Sequence, residues 1–405
     1  MASIRPFRAL RPVRDCAAAV SSVPYDVVST DEARQLASAN PLSFLHVTRS
    51  EIDLPSGTDP YAQEVYAKAR DNFIALQQQA RLVMEDGPSL YFYRLRMGAH
   101  EQTGIAACFS VDEYEHDLIK KHERTRPDKE DDRTRHIVEL HAQTGIVFLT
   151  YKHTDDVDRL CRAVTADAPL YDFRADDGVQ HTVWKAGRRE SAELVDAFGR
   201  IPALYIADGH HRAASAARAR GKLGPQAAGS EGDTFIAVAF PDNQAQILPY
   251  NRTVKDLAGQ SPQQFLAALR SLVPVEEGPA TPRAKGEVSM FLDGRWYTLR
   301  LSGLRPEDGT RASSLDVALL QHHVLGPLLK VGDIRTDKRI DFVGGARGTA
   351  ALEQAVKSGS AAVAFSMHPV TIEDLIAISD EGGIMPPKST WFEPKLRDGL
   401  LVHVI

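Results

Sequence analysis

One short segment places an acid, a glycine, two histidines and an arginine in consecutive positions, Asp208, Gly209, His210, His211 and Arg212. The apolar run before it predicts a strand, and the alanine-rich run after it predicts a helix. The first backbone N–H groups of a helix are unpaired and, with the helix dipole, favour an anion. Gly209 lets a ligand approach the backbone, and Arg212 offers a two-pronged donor to phosphate. The segment therefore predicts a phosphate site.

Asp208 has more than one interpretation at this position. It is placed to cap the helix, to act as a base or to hold a metal ion. The alternative to a phosphate site is a capping aspartate followed by a solvated His-His-Arg first turn. Two adjacent histidines project in different directions from a helix, so the pair does not predict a two-histidine metal site.

A second segment, residues 120–136, carries seven basic and five acidic side chains in seventeen positions. Pro127 predicts the start of a helix there. A charged run is usually a solvated face, and that is the first interpretation of this one. The mixture also suits phosphoryl chemistry: Lys129 and Arg133 are candidates to hold phosphate, and Glu123 and Glu130 are candidates to hold Mg²⁺ or a hydroxyl proton.

Two more segments contain side chains suited to an anionic ligand. A rigid Pro-Pro pair precedes the first of them, and a surface loop is an equally good interpretation. The second follows the predicted strand at 235–240, and there the interpretation as a turn is favoured, as it also is for the Pro24-Tyr25-Asp26 turn. The candidates are Lys388, Ser389, Thr390, Asn251 and Arg252.

Several common site types are excluded by sequence. The chain lacks a Gly-x-x-x-x-Gly-Lys-Ser/Thr loop, a Gly-x-Gly-x-x-Gly after a strand, a His-Glu-x-x-His pair and a Gly-x-Ser-x-Gly elbow. Three scattered cysteines, Cys16, Cys108 and Cys161, predict neither a disulfide framework nor a structural zinc site.

Composition narrows the class of protein further. The 405 residues are 43% hydrophobic and 25% charged, as in a soluble globular protein. A net charge of −6 without a polybasic face argues against a nucleic-acid partner. No run approaches the length of a membrane span and the first residues lack an apolar signal sequence, so no membrane partner and a cytoplasmic location are expected.

The rest of the chain must position these segments, and its predicted elements alternate between strands and helices. This alternation predicts a mixed α/β (α+β) fold. Cuts near 150 and 255 give an N-terminal α/β region (1–150) with the charged segment, a region (151–255) with the Asp208–Arg212 motif, and a C-terminal α/β region (256–405). Stretches rich in turn residues predict loops at 221–232 and 276–285.

Seven stretches, in this order, resemble the signatures of a bacterial family known as domain of unknown function 1015. The resemblance runs from about residue 4 to the C-terminus, and the family name states no chemistry. The stretches are Val23–Val28, Pro41–Val47, Lys121–Thr125, Lys129–Arg133, Ala207–Arg212, Tyr250–Arg252 and Met385–Thr390.

The Asp208–Arg212 motif is also similar to the phosphate-binding motif of the ParB/sulfiredoxin-like superfamily, which includes free L-serine kinases, DNA-clamping nucleotide hydrolases and sulfiredoxins. The resemblance implies a ParB/sulfiredoxin-like core elaborated by additional mixed α/β segments. It implies that Asp208 lies near the substrate hydroxyl. It also implies that the four residues after Asp208 bind phosphate. The kinases use an upstream glutamate that no motif places here, and Glu123 and Glu130 are the candidates.

Two members of that superfamily are disfavoured as functional parallels. The catalytic cysteine of sulfiredoxin sits within the equivalent motif, where this chain has His210. A ParB role is disfavoured because no helix-turn-helix or basic DNA-reading face is evident.

These residues favour a phosphotransferase that uses Mg²⁺, with a free L-serine kinase that makes O-phospho-L-serine as the leading hypothesis. The donor is pyrophosphate or a nucleotide, with a slight preference for pyrophosphate because no adenine-binding signature is evident. A non-catalytic nucleotide- or phosphometabolite-binding regulator and a phosphohydrolase are the alternatives. The partners are then serine and the phosphate donor, and a homodimer is one option left open.

The candidate residues fall into three sets under this hypothesis. The catalytic set is Asp208, Glu123 and Glu130, with Asp208 also the metal ligand. The phosphate-binding set is Gly209, His210, His211, Arg212, Lys129, Arg133 and Arg252. The substrate-binding set is His122, Asn251, Lys388, Ser389 and Thr390.

Overall fold

The structure is a computed structural model that describes residues 1–79, 81–224, 230–306 and 309–405. Its contacts divide the chain into two units. The first unit comprises Met1–Lys121, Thr125–Ala245 and Pro394–Ile405, and the second comprises His122–Arg124 and Gln246–Glu393.

The strands are numbered in chain order. They are β1 Ile4–Arg5, β2 Ala9–Arg11, β3 Val83–Met84, β4 Tyr91–Met97, β5 His100–Ser110, β6 Ile119–Lys120, β7 Ala142–Gln143, β8 Val147–Tyr151, β9 Tyr171–Arg174, β10 Gln180–Lys185, β11 Leu204–Asp208, β12 Thr234–Pro241, β13 Ile247–Leu248, β14 Tyr250–Val254, β15 Val275–Glu277, β16 Glu287–Leu292, β17 Arg295–Arg300, β18 Ile340–Gly344, β19 Val363–Met367, β20 Trp391–Phe392 and β21 Val402–Val404.

The helices follow the same scheme. They are α1 Ala17–Val20, α2 Thr30–Ala37, α3 Leu45–Thr48, α4 Gln63–Gln79, α5 Val111–Glu115, α6 Pro127–Leu140, α7 Asp155–Thr165, α8 Arg188–Phe198, α9 His210–Leu223, α10 Pro262–Leu272, α11 Asp316–Leu320, α12 Gly348–Lys357 and α13 Ile372–Asp380. A π-helical turn, Gln321–Leu325, continues α11.

A nine-stranded mixed sheet forms the centre of the first unit, in the order β6-β11-β8-β12-β5-β4-β10-β9, with β1 paired to β5. β12 is buried along its whole length because its run of apolar side chains lies between β8 and β5. The β8–β12 and β6–β11 pairs are parallel, which places the ends of β8 and β12 at the same edge. A smaller sheet, β3-β2-β21-β7, also belongs to this unit.

The second unit is built on a six-stranded antiparallel sheet in the order β15-β17-β16-β19-β14-β18. Phe291, Leu352 and Ala364 form an apolar cluster in which α12 packs on this sheet. β13 and β20 form a separate two-stranded pair.

The predicted mixed α/β class is confirmed, and the division into units differs from the predicted three segments. The nine-stranded sheet takes strands from both sides of residue 150, and 394–405 belongs with the first unit rather than with the C-terminal region. Of the predicted loop at 221–232, residues 225–229 lie outside the described part of the chain, and 221–223 belong to α9. The predicted loop at 276–285 is partly wrong, because β15 extends to Glu277 by pairing with β17. Within the described residues, no helix is both long and apolar enough to cross a bilayer.

Candidate phosphate-binding site

The turn between β11 and α9 holds the predicted motif. Gly209 is the N-cap of α9 with φ of 95° and ψ of 31°, a left-handed conformation that glycine adopts without strain. Because this residue is the N-cap, Asp208 does not cap the helix and instead ends β11. The pairing of β11 with β8 shifts register between Ile206 and Asp208, an irregularity of the kind that re-aims a side chain at the end of a strand.

Arg212 is buried beneath this turn, with 6% of its side chain exposed. Its Nη2 donates to both carboxylate oxygens of Asp26, at 3.0 and 3.3 Å, and lies 3.9 Å from Asp208 Oδ2. Its Nη1 donates to the backbone carbonyl of Ile146. Burial alone would lower the pKa of Arg212, but the charges of Asp26 and Asp208 outweigh it and raise that pKa. The guanidinium is therefore a fixed positive charge.

Asp208 lies between two cations. It accepts a hydrogen bond from Lys395 Nζ at 2.9 Å, in addition to its contact with Arg212. Burial alone would raise the pKa of Asp208, but the charges of Lys395 and Arg212 hold it well below its usual value. A carboxylate this acidic accepts a proton weakly, and it keeps its negative charge for a hydroxyl group or a cation.

A second cation, Arg133, comes from the charged segment and has 13% of its side chain exposed. Its Nε donates to Asp132 Oδ2 at 2.8 Å, and its guanidinium carbon lies 4.2 Å from the centre of the Tyr25 ring. Asp132 is 7% exposed and also accepts a hydrogen bond from Tyr66 Oη at 2.8 Å. The solvated-face interpretation is therefore wrong for this pair, because α6 turns it inward.

A small pocket lies beside the two arginines, and Arg133, Arg212, Tyr25, Thr144 and Gly145 contribute to its lining. Arg212 Nε is buried and has no hydrogen-bond partner within the described residues. Gly145 makes room for the Arg212 side chain, since a Cβ there would lie 3.2 Å from its Cδ. Two guanidinium groups at one pocket are the donor set that an anionic ligand needs.

Three acidic or basic residues around Arg212 were not among the sequence-predicted site residues. Asp26 was interpreted as part of a turn, and it is indeed in a 3₁₀ turn, Tyr25–Val27, but its carboxylate binds Arg212. Lys395 and Asp398 lie in the C-terminal segment, and no local signal linked them to a motif almost two hundred positions earlier. The family-like stretch Val23–Val28 was the one signal that pointed to Asp26.

Asp398 is 2% exposed, and its backbone pairs with that of Ser22. Burial raises the pKa of Asp398 to about 7, and the Asp26 charge adds to this effect while Arg212 opposes it. Its Oδ2 has no hydrogen-bond partner in the described part of the chain.

Four other predicted residues of the first unit have contacts of their own. Lys129 Nζ donates to the Tyr61 hydroxyl at 2.6 Å. Glu130 pairs with Arg218 at 3.1 Å and accepts a hydrogen bond from Thr125. His210 is buried in the first turn of α9, and His211 Nε2 accepts the Arg126 backbone N–H at 3.0 Å. The contacts of Lys129 and Glu130 are thus with residues other than Asp208 and Arg212.

The remaining predicted residues belong to the second unit. Arg252 is fully buried in β14 and donates to the Lys388 carbonyl at 2.9 Å, while Lys388 Nζ lies 5.5 Å from the Tyr250 ring centre. Burial lowers the pKa of Arg252 to about 10. The other hydrogen bonds are Asn251 Oδ1 with Met367 N–H at 2.9 Å, Ser389 Oγ with Pro386 O at 2.6 Å, and Thr390 Oγ1 with His122 Nε2 at 3.4 Å; Glu123 belongs to the same unit.

The sequence model of the family described as protein of unknown function (DUF1015) matches residues 4–318. The chain belongs to this family. The matched range confirms the resemblance from residue 4 and ends before the Met385–Thr390 stretch. No curated protein sequence matches the chain significantly.

Several solved structures are similar to this DUF1015 chain. SbnI with a C-terminal truncation from Staphylococcus aureus has a TM-score of 0.40 and 13% identity, covering 74% of this chain and 87% of its own. A free serine kinase mutant in complex with AMP has a TM-score of 0.37 and 12% identity, covering 73% and 91%. A conserved hypothetical protein from Pyrococcus furiosus has a TM-score of 0.37 and 14% identity, covering 74% and 95%. Likenesses this distant assign no activity to the chain.

Proposed function

We propose that this protein transfers a phosphoryl group to the hydroxyl of a small metabolite, with L-serine as the leading acceptor. The observation that carries the proposal is the turn before α9. There an ionised Asp208 lies beside Lys395 and Arg212, and Arg212 and Arg133 line one pocket. The turn thus offers a carboxylate for a hydroxyl group next to cations for a phosphate.

The chemistry asks for positioning and charge rather than for a covalent intermediate. In phosphoryl transfer the enzyme aligns donor and acceptor and neutralises charge on the phosphoryl oxygens. Arg212 Nε, the backbone N–H groups at the start of α9 and Arg133 supply that positive charge. Asp208 accepts a hydrogen bond from the acceptor hydroxyl and orients its oxygen. Its low pKa favours this orienting role over full proton abstraction.

Asp208 and Asp26 are the two carboxylates at this turn that would hold Mg²⁺. Asp208 and Asp26 both have a carboxylate oxygen within 4 Å of Arg212 Nη2, and Mg²⁺ in such sites takes one or two carboxylates plus phosphate oxygens. When bound, the ion would neutralise negative charge on the phosphates. The acceptor follows from the motif resemblance, which implies serine. The donor is pyrophosphate or a nucleotide.

Phosphorus NMR of the full chain with Mg²⁺, L-serine and either pyrophosphate or a nucleotide tests the proposal. A phosphoserine resonance with one donor is the expected result and identifies that donor. Release of free phosphate without phosphoserine would instead support a phosphohydrolase or another acceptor. Unchanged spectra with every donor would contradict catalysis and leave a binding protein.

The Asp208→Asn variant separates catalysis from binding at the same site. The amide keeps the shape but loses the charge, so we expect turnover to fall strongly while the donor still binds. Asp31→Asn is the matched control, because Asp31 is 95% exposed on α2. A variant at Asp208 that turns over at the wild-type rate would show that the carboxylate has no part in the reaction.

A further inference from the structure

Three metal-ligating side chains from distant parts of the chain meet in the first unit. Cys108 lies on β5, Glu231 begins the 3₁₀ turn Glu231–Asp233, and His403 lies on β21. A ligand atom of each lies within 4.8 Å of the other two. None of these residues belongs to the phosphate-binding site described above.

Two of the three side chains in the cluster are buried, and the third is exposed to solvent. Cys108 and His403 are each 1% exposed, whereas the side chain of Glu231 is half exposed. His403 Nε2 lies 2.7 Å from Glu231 Oε2. A cation therefore reaches the buried thiol and imidazole from the side of the carboxylate.

Both ring nitrogens of His403 lie near an oxygen acceptor, and this arrangement suits a cation at Nε2. Gln143 Nε2 donates to the Thr234 carbonyl and its Oε1 accepts the Ile236 N–H, both at 2.8 Å, which fixes the amide with its oxygen 3.4 Å from His403 Nδ1. Both ring nitrogens thus face oxygen acceptors. A neutral imidazole has one N–H, so it can donate a hydrogen bond to only one of these two oxygens.

Arg5 is the charge that already faces Glu231. Its Nη2 lies 2.9 Å from Oε2, the same oxygen that contacts His403. It also donates to the Ser230 carbonyl at 3.0 Å and to Thr234 Oγ1 at 3.1 Å. Arg5 therefore has two oxygen acceptors besides the Glu231 carboxylate.

We propose that Cys108, Glu231 and His403 bind a zinc ion, with Gln143 fixing the imidazole tautomer. Thiolate, imidazole and carboxylate are the ligands zinc takes in proteins, and three protein ligands leave one position for water. Binding replaces the thiol proton by the metal and releases that proton to solvent. Two anionic ligands then balance the two charges of the ion, and Arg5 adds one positive charge beside them. In metal sites the ring nitrogen of histidine that does not bind the ion usually donates a hydrogen bond, which fixes the orientation of the ring. Here His403 Nδ1 would donate to Gln143 Oε1, and Nε2 would bind the ion.

Cobalt substitution of the full chain tests the proposal. The protein is treated with a chelator, titrated with Co²⁺ and followed by absorption, with Zn²⁺ measured by elemental analysis after gel filtration. We expect a thiolate-to-cobalt charge-transfer band that saturates at one ion per chain and is abolished by added Zn²⁺. At neutral pH the titration should release about one proton per ion because the thiol ionises.

Variants assign the band to the cluster. Cys108→Ser should lose the charge-transfer band, and His403→Gln should weaken Co²⁺ binding strongly. Cys161→Ser is the matched control, because Cys161 is a partly buried thiol on α7 that is not in the cluster. A wild-type protein without the band, or a band that survives in Cys108→Ser, would overturn the proposal. Circular dichroism of each variant confirms that it is folded.

Discussion

The carboxyl groups around Arg212 differ widely in their affinity for protons. Asp208 lies beside two cations, and its pKa falls well below the usual value. Asp398 is buried among groups of both signs, and its pKa rises to about 7. Two acids at one site with separated pKa values are a common arrangement in acid–base catalysts. At neutral pH the first is a fixed charge and the second exchanges its proton.

The pKa of Asp398 predicts how stability depends on pH. The native state keeps this proton up to about pH 7, whereas the unfolded chain loses it near the ordinary value of 3.8. Between these values the native state binds more protons, so this group lowers the free energy of unfolding as the pH rises, by a few kcal/mol in total. Asp398→Asn removes that titration, so its stability relative to wild type should increase from pH 4 to pH 7 and stay level above.

Urea unfolding at a series of pH values measures this difference. Asp31→Asn, at an exposed position, should give a profile parallel to that of the wild type. Parallel profiles for Asp398→Asn as well would show that Asp398 is ionised in the native protein throughout this range.

Arg212 is expected to bind the phosphate donor through its fork of donors and not through charge alone. Arg212→Lys keeps the charge but loses the paired N–H groups. Donor binding should weaken about 10- to 100-fold, the cost of one or two charge-assisted hydrogen bonds. Calorimetric titration with pyrophosphate or a nucleotide measures this. Arg34→Lys is the control, because Arg34 on α2 pairs with the exposed Asp31 and not with the site. Equal affinity in both variants would place the donor elsewhere.

Among the elements, the junction of β11 and α9 depends on one backbone conformation. Gly209 has a φ of 95°, and its Cβ would meet the Val147 backbone and the Arg212 side chain at 3.4 Å. Gly209→Ala should therefore lower the free energy of unfolding by about 1–2 kcal/mol through backbone strain.

A second glycine in the same helix provides the opposite expectation. Gly221 lies inside α9 with nothing within 4 Å of its Cβ position. Gly221→Ala should raise the free energy of unfolding by about 0.5–1 kcal/mol, since alanine is the better helix former. Thermal unfolding of Gly209→Ala and Gly221→Ala measures whether each substitution lowers or raises stability. If both substitutions changed stability in the same direction, the assigned conformation of Gly209 would be contradicted.

Local pattern predicted most elements of the site and few of its contacts. The strand and helix around Asp208 follow from an apolar run and an alanine-rich run, and α6 begins at Pro127 as expected. These features depend on neighbours in sequence. The burial of Asp132 could not be predicted from the sequence, because a run of charged residues does not indicate which face of its helix packs inward. That face is set by α9, α4 and the Tyr25 turn, which lie far away in the chain.

For the whole molecule, the decisive feature is that residues 394–405 complete the first unit after the chain has passed through the second. β21 pairs with β2 on one side and β7 on the other, and the same segment brings Lys395 to Asp208 and Asp398 to the Arg212 cluster. Nothing in the composition of this segment predicts that return. The sequence therefore identified the turn that carries the candidate phosphate site but did not identify Lys395 and Asp398 as part of its charge balance.

A chain that ends at Glu393 should fail to form a stable first unit. It lacks β21 and the side chains of Leu400 and Leu401, which are fully buried. Truncating one buried leucine costs about 2–5 kcal/mol, and a whole domain is stable by only about 5–15 kcal/mol. Limited proteolysis should cleave the first unit of the shortened chain rapidly.

Lys395→Gln in the full chain is the control. It should resist proteolysis like the wild type but lose turnover, because it removes the cation beside Asp208 and leaves β21 in place. A shortened chain as resistant as the wild type would show that β21 contributes little to the first unit.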